Sequence, residues 1–526
     1  MQGSWVTLNL SKLGKPATVM PNCQMNRLYF TILFWTLNLL LIKAGNLDSI
    51  SIERTNKFSP DQLKKDFQIF RQTLETEHGG VYKYTSKEKL TKLLDSVQTT
   101  LNDSMDIYSF YNVLTICTSQ IKCAHTGAYL PEYARKNLLK ENRLPLFLLI
   151  NEKGAYIEYN FYNPKEVEVG AEIKKINGKD ISEIVKQIFS HLSSDGSIIT
   201  TKYRYLEYFG FSKYYNLLIE KVDTFTIEYV TPKGITLNTK ILGLSGEKIN
   251  SQYKTIESEE SKKQKDITFE ILNLNNTLRV GNLKINAFNS SKKFNQFIDS
   301  TFKIIHEQSI KTLIIDIRNN GGGTGANFLF SYLTTKPFVF VDSAIVRTRK
   351  FHYVRDYSYS SKIIKLLNLF SGAITKKTNK QQEYLVKKNF ITKMFGTGEM
   401  GIQKPSPRYN YSDKVYLLLN GFTASEASIF SAIMQDQERA VIIGEESGGN
   451  YYGPTSSIIP YVELPNTKIG FTNPLAKIIN HVSKKAEYDR GTIPNYSVQE
   501  SISDRIRNKD TVLNFTLELI KNVKGN

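Results

Sequence analysis

The chain has few of the residues that staple or stiffen a small scaffold. Three cysteines in 526 residues make no disulfide framework. Cys117 and Cys123 lie six apart, a spacing that on a helix spans almost two turns and places the pair badly for a disulfide, so both read as small buried residues. With 15 Pro, 31 Gly and no repeat of 20–50 residues, collagen-like, solenoid and low-complexity architectures are excluded. No apolar run reaches the roughly 20 residues of a membrane span. Zinc-finger spacing, an RNP-like aromatic motif and a basic heptad are also missing. No metal-ligand cluster shows in the spacing, and neither a metal nor a cofactor is expected.

What is present is a globular composition. Apolar residues make up 40% of the chain, enough for several cores, and the length predicts two to four domains. The net charge of +19 is concentrated in two segments. Residues 1–45 carry Lys12, Lys15, Arg27 and Lys43 with no acid, and 347–408 carries fourteen basic residues against Asp356, Glu383 and Glu399. The remainder is close to balance, so no nucleic-acid partner is expected. The run Leu28–Ile42, behind Arg27 and before Lys43-Ala44-Gly45, fits the apolar core of a secretory leader. Cleavage is expected near Ala44, which also removes Cys23, with Met25 as the working start. A retained signal anchor is the alternative. Either way the protein is expected to be secreted or held in the periplasm or cell envelope.

Periodicity divides the rest. Leu63, Phe67, Phe70 and Leu74 recur at helical spacing, as do Leu90, Leu93 and Leu94, then Phe110, Val113, Leu114 and Cys117, predicting a helical domain over 46–135. Alternating segments predict a β-rich domain over 136–248, with an Asn177-Gly178 turn inside it. The polar stretch 249–268 reads as a linker or long hairpin. From 269 to 510 strands and helices alternate, the pattern of an α/β domain with a sheet buried on both faces, and 511–526 closes as a helix. The basic insertion 347–408 is far longer than an ordinary connection. Its apolar piece Ile363–Phe370 suits a membrane-surface contact, a lid over the site, or a packed helical excursion.

Two strand-to-helix turns stand out, since ligands of open α/β sheets gather at the carboxyl ends of strands. In the first, Asp316-Ile317-Arg318-Asn319-Asn320 leads into Gly321-Gly322-Gly323, where backbone N–H groups can face an anion unobstructed. A plain flexible turn is the other reading. No Gly-Lys-Ser/Thr follows, which argues against a phosphate loop. In the second, Asn420-Gly421-Phe422-Thr423-Ala424-Ser425-Glu426 puts Ser425 in a first helical turn, where free N–H groups favour developing negative charge. The alternative is a capping box of Thr423 and Glu426, which would consume that N–H.

Together these turns, with Gly444-Glu445-Glu446-Ser447-Gly448-Gly449 after them, resemble the serine peptidases of the tricorn-core and carboxy-terminal-processing (tail-specific) type. The resemblance is strong over 270–500 and weaker over 55–245. It implies a crotonase/ClpP-like ββα catalytic domain, a PDZ-like character for the β-rich domain, and a protein or peptide substrate. It makes Ser425 the nucleophile, with an oxyanion hole from the Glu426 N–H and Gly322 or Gly323. The lysine base of the processing branch falls at Asn450, and an amide cannot take the proton. The tricorn-like branch uses a His, for which His125 in Cys123-Ala124-His125-Thr126 is the match, although only His-Thr is shared. Tyr488-Asp489-Arg490-Gly491 makes Asp489 the candidate third member, with Asn495 where the family has Asp. The implied activity is peptide hydrolysis through an acyl-enzyme, with closure between the His125 and Ser425 domains. A catalytically inactive peptide- or lipid-binding envelope protein on the same scaffold is the rival reading.

Overall fold

The computed structural model describes residues 57–524 apart from 164, 208, 262–265, 276–277, 379–382, 388–399 and 484–485. The leader, with its apolar run and proposed start, lies outside the described residues.

Three helices open the structure, Pro60–Glu77, Lys87–Thr100 and Ile107–Ile121. The first starts with a capping box between Ser59 and Gln62, and its buried stripe of Leu63, Phe67, Phe70 and Leu74 is the one the periodicity predicts. That stripe does not close a core of its own. It merges with Phe302, Phe330, Phe430, Leu464 and Phe471 of the α/β region, and Phe70 meets Phe471 edge to face at 5.0 Å. Polar clasps reinforce the join. Asp66 accepts the Asn466 and Thr467 N–H groups at 3.1 and 2.8 Å, and Glu77 accepts those of Tyr353 and Val354, both at 2.9 Å. A separately hinged helical domain is therefore not what forms; helices and α/β region share one apolar interior.

The β-rich region is an antiparallel sheet of Leu146–Asn151, Gly154–Asn160, Glu172–Ile176, Thr224–Val230 and Thr236–Leu242. Asn177 (φ 50°) and Gly178 (φ 78°) make its tight turn. The helices Ile181–Phe189, Thr200–Leu206 and Phe209–Leu218 cover it, more helix than its alternating pattern suggests. The polar stretch expected as a linker is a helix over Gly246–Ser261, because Ile249 and Tyr253, one turn apart, bury themselves against Phe147.

The α/β region is built on six strands in the order Ile267–Asn273, Arg279–Ile285, Thr312–Asp316, Lys414–Leu419, Val441–Gly444, Tyr496–Ser497. The first pair is antiparallel and the rest parallel. One face packs on the main core and the other on the helix Thr511–Lys524, so Leu313–Ile315 and Leu417–Leu418 are buried throughout. The described part of the basic insertion is a folded excursion: helices His352–Tyr357 and Ser361–Ile374, then strands Thr375–Lys377 and Tyr384–Val386, which extend a second sheet.

Candidate active site

Strands Thr312–Asp316 and Lys414–Leu419 are parallel neighbours in register, so the two turns at their carboxyl ends emerge side by side. Asparagines lock them together. Asn420 Oδ1 accepts the Asn319 N–H at 3.0 Å, Asn420 Nδ2 donates to Asn319 Oδ1 at 2.8 Å, and the Ala424 N–H donates to the Asn320 carbonyl at 3.1 Å. Below the glycine turn, Arg318 is pinned between Asp316 and Asp510 by paired hydrogen bonds of 2.6–2.9 Å.

Ser425 occupies the N-cap of the helix Glu426–Asp436 with φ 51° and ψ −125°, a conformation seldom adopted by residues other than glycine and typical of a nucleophile on a sharp strand-to-helix turn. It is partly exposed, and its Oγ has no hydrogen bond to the described residues. The capping box does not form. Thr423 Oγ1 donates to the Ile317 carbonyl at 3.0 Å, and the Glu426 carboxylate accepts the Ala326 N–H at 2.5 Å. Gly322 lies directly against the serine. With φ 106°, a Cβ added there would sit 2.7 Å from Ser425 Cβ and 2.9 Å from the Glu426 nitrogen. Its own N–H donates to Asn320 Oδ1 at 2.8 Å, so of the two oxyanion candidates Gly322 is already committed. Gly323 is solvent-exposed, and the Phe288 carbonyl blocks any side chain there.

His125 follows the helix Ile107–Ile121, which Lys122 ends in the left-handed region. Its neighbour Thr126 is fixed by His78. The Gly80 N–H donates to His78 Nδ1 at 3.1 Å, so Nε2 carries the proton to Thr126 Oγ1 at 2.7 Å, and burial pulls His78 down to about 3. His125 is 9% exposed, and its Nδ1 is buried without a hydrogen-bond partner. Burial lowers its pKa, Lys83 lowers it further, and Asp195 pulls it back up.

Asp195 is the residue that sequence reasoning missed. Its carboxylate accepts the Ala124 N–H at 2.8 Å and the Asn450 N–H at 3.3 Å, tying the His125 turn to the segment behind Ser425. The Cys123 sulfur, a His125 ring nitrogen and an Asp195 oxygen all fall within 4.8 Å of one another. Residues 123 and 195 come from different elements, so no spacing rule shows the cluster. Asp489, the carboxylate expected beside the histidine, instead accepts from the Ser197 hydroxyl, while its carbonyl accepts the Ser197 N–H at 2.9 Å. Lys83 is the second omission. Its Nζ donates to Asn450 Oδ1 at 3.2 Å and to the Gly453 carbonyl at 2.5 Å, and burial brings it down to about 8 although Asp195 and Cys123 act the other way. A lysine from the helical segment thus reaches the amide that stands where the processing branch keeps its own lysine.

The glutamates of the Gly444–Gly449 segment are held by cations. Arg204, from the β-rich region, pairs with Glu445 and Glu207, and Arg490 pairs with Glu446 at 2.7 Å.

Comparison with known proteins agrees with this layout. The model of peptidase family S41 matches residues 279–498, the span that holds both turns and Asp489. Mature CPAF superposes with a TM-score of 0.57 at 16% identity, over 88% of this chain and 96% of that one. Mature CPAF complexed with lactacystin gives 0.58 at 15%, over 88% and 98%. No curated protein matches by sequence. With the Ser425 turn and the glycine turn both inside the matched span, residues 279–498 match peptidase family S41, and the protein is a serine-type peptidase.

Proposed function

We propose that the protein is an exported peptidase working by Ser/His acyl-enzyme chemistry. Ser425 Oγ attacks the scissile carbonyl, and His125 takes its proton and returns it to the leaving amine. The Asp195 carboxylate, within 4.8 Å of a His125 ring nitrogen, stabilises the imidazolium that forms, and the Glu426 N–H with the Gly323 N–H receives the oxyanion. The observation that carries this reading is the Asp195 bridge, which joins the histidine turn through the Ala124 and Asn450 N–H groups to the segment whose Gly449 lies against Ser425. Because helices and α/β region share a core, the site is preorganised and needs no large domain closure.

The β-rich region supports a PDZ-like role. Its edge strand Thr236–Leu242 is largely exposed and offers a backbone ladder to an extended peptide. The helix Ser361–Ile374 shows Ile363, Leu366, Leu369 and Phe370 to solvent beside exposed Lys362 and Lys365, which supports peripheral contact with an anionic membrane. Among the described residues no helix is long and apolar enough to cross a bilayer. Liposome co-sedimentation tests the contact: Leu369→Glu should release the protein from anionic vesicles, and equal partitioning removes the idea.

The catalytic reading is tested with a serine-directed fluorophosphonate probe. The parent should label, and Ser425→Ala and His125→Ala should not. Undiminished labelling of His125→Ala would show that another group is the base.

A further inference from the structure

We propose that Cys123, His125 and Asp195 form a Zn²⁺ site that switches the peptidase off by occupying its general base. The switching half rests on the reading of His125 as that base; the binding half does not. Three donor types that zinc accepts, a thiol, an imidazole and a carboxylate, converge within 4.8 Å. All three residues are at least nine-tenths buried, at 1%, 9% and 1% exposure.

An independent observation points to a ligand. The His125 Nδ1 is buried with no hydrogen-bond partner, and buried ring nitrogens ordinarily have one. The second shell is of the kind that steadies metal ligands. Asp195 is oriented by the Ala124 and Asn450 N–H groups, while the Cys123 thiol donates to the Thr455 carbonyl at 3.7 Å, a weak bond given up when the sulfur turns to the ion. Three protein ligands leave one position of a tetrahedron for water. The thiol and imidazole favour zinc over the oxygen-seeking Mg²⁺ and Ca²⁺. On binding, the Cys123 sulfur gives its proton to solvent and both negative ligands face the ion. Lys83, fixed nearby on Gly453 and Asn450, opposes a further cation, which makes the ion a removable inhibitor instead of a permanent structural part. Once a ring nitrogen of His125 is coordinated, the imidazole is held on the metal and no longer free to serve Ser425.

The test uses the full chain stripped with chelator and titrated with Co²⁺, whose thiolate complexes absorb by charge transfer. One Co²⁺ per chain should bind with that band, Zn²⁺ should displace it, and Cys123→Ser should abolish it. A Cys23→Ala, Cys117→Ala double variant, in which Cys123 is the remaining thiol, should keep it, which assigns the ligand even if Cys123→Ser fails to fold. Absence of the band in the parent, or its loss in the double variant, overturns the site. Zn²⁺ should then slow fluorophosphonate labelling at least tenfold, with recovery in EDTA. Saturated metal with unchanged labelling overturns the switch. If metal-free protein does not label at all, it is the Ser/His reading that fails, and the cobalt band still decides the site.

Discussion

Asp195 and Asp489 compete for one role, and conservative amides separate them. Asp195 lies within 4.8 Å of a His125 nitrogen and accepts two backbone N–H groups, at 2.8 and 3.3 Å. In Asp195→Asn the new NH2 must face one of those donors, leaving a buried hydrogen bond unmade at a cost of about 1–3 kcal/mol in stability. The larger effect falls on catalysis. Removing the charge that stabilises a developing imidazolium costs up to about 10^4 in kcat, which is about 5.5 kcal/mol at roughly 1.4 kcal/mol per decade. Asp489→Asn keeps an oxygen able to accept from Ser197, and its expected loss is under about tenfold. The assay is single-turnover fluorophosphonate labelling followed by turnover of a peptide library, with a melting curve to show that each variant is folded. A hundredfold loss in Asp489→Asn beside a near-normal Asp195→Asn would refute the assignment and restore the carboxylate expected from sequence.

Other perturbations test neighbouring parts of the argument. Gly322→Ala places a methyl 2.7 Å from Ser425 Cβ at φ 106° and should abolish labelling, whereas Gly234→Ala, at φ 82° with nothing within 4 Å, should cost about 1–3 kcal/mol of strain and leave labelling intact. The acid limb of the rate should fall below the ordinary imidazole range, because burial lowers His125; a limb near 8 would point to Lys83 as the base. Folded His78 resists protonation until about 3, while the unfolded chain takes that proton near the ordinary histidine value of 6.5. Stability should therefore fall as the medium is acidified between these values, by about 1.4 kcal/mol per pH unit, and His78→Gln should flatten that slope in denaturant titrations. Arg204→Met leaves the buried Glu445 carboxylate without its cation and Glu207 with Arg505 alone, and should cost about 3–5 kcal/mol; an unchanged melting temperature would show that the network is dispensable.

The two turns were legible as sites at a sheet edge because they are local, while their catalytic reading came from the family resemblance. Buried runs ending in Gly321-Gly322-Gly323 and in Ser425-Glu426 announce a parallel sheet and its carboxyl edge without any knowledge of tertiary contacts. The opening helices were legible from the stripe of Leu63, Phe67, Phe70 and Leu74. What could not be read was set by long-range pairing. Asp195 and Lys83 are unremarkable in sequence, and they acquire chemistry when Ala124, Asn450 and Gly453 are brought to them. The helix Gly246–Ser261 was missed because only Ile249 and Tyr253 supply its apolar contacts, too few for periodicity to register. Asp489 was chosen by similarity of its surroundings to a family segment, a signal that says nothing about which loop its carboxylate will meet.

The short strand Ala128–Tyr129 completes its ladder with Gly470–Thr472, the Thr472 N–H donating to the Gly127 carbonyl at 3.0 Å and the Gly127 N–H to the Thr472 hydroxyl at 3.1 Å. The histidine turn is thus paired with a strand made more than three hundred residues further along the chain. Until residues 470–472 are made, the turn that holds His125 lacks its sheet partner, and on the proposed mechanism a chain stopped before 470 should show no labelling. On the Ser/His reading, chemistry waits on that non-local pairing, which forms more slowly than the local helices around it.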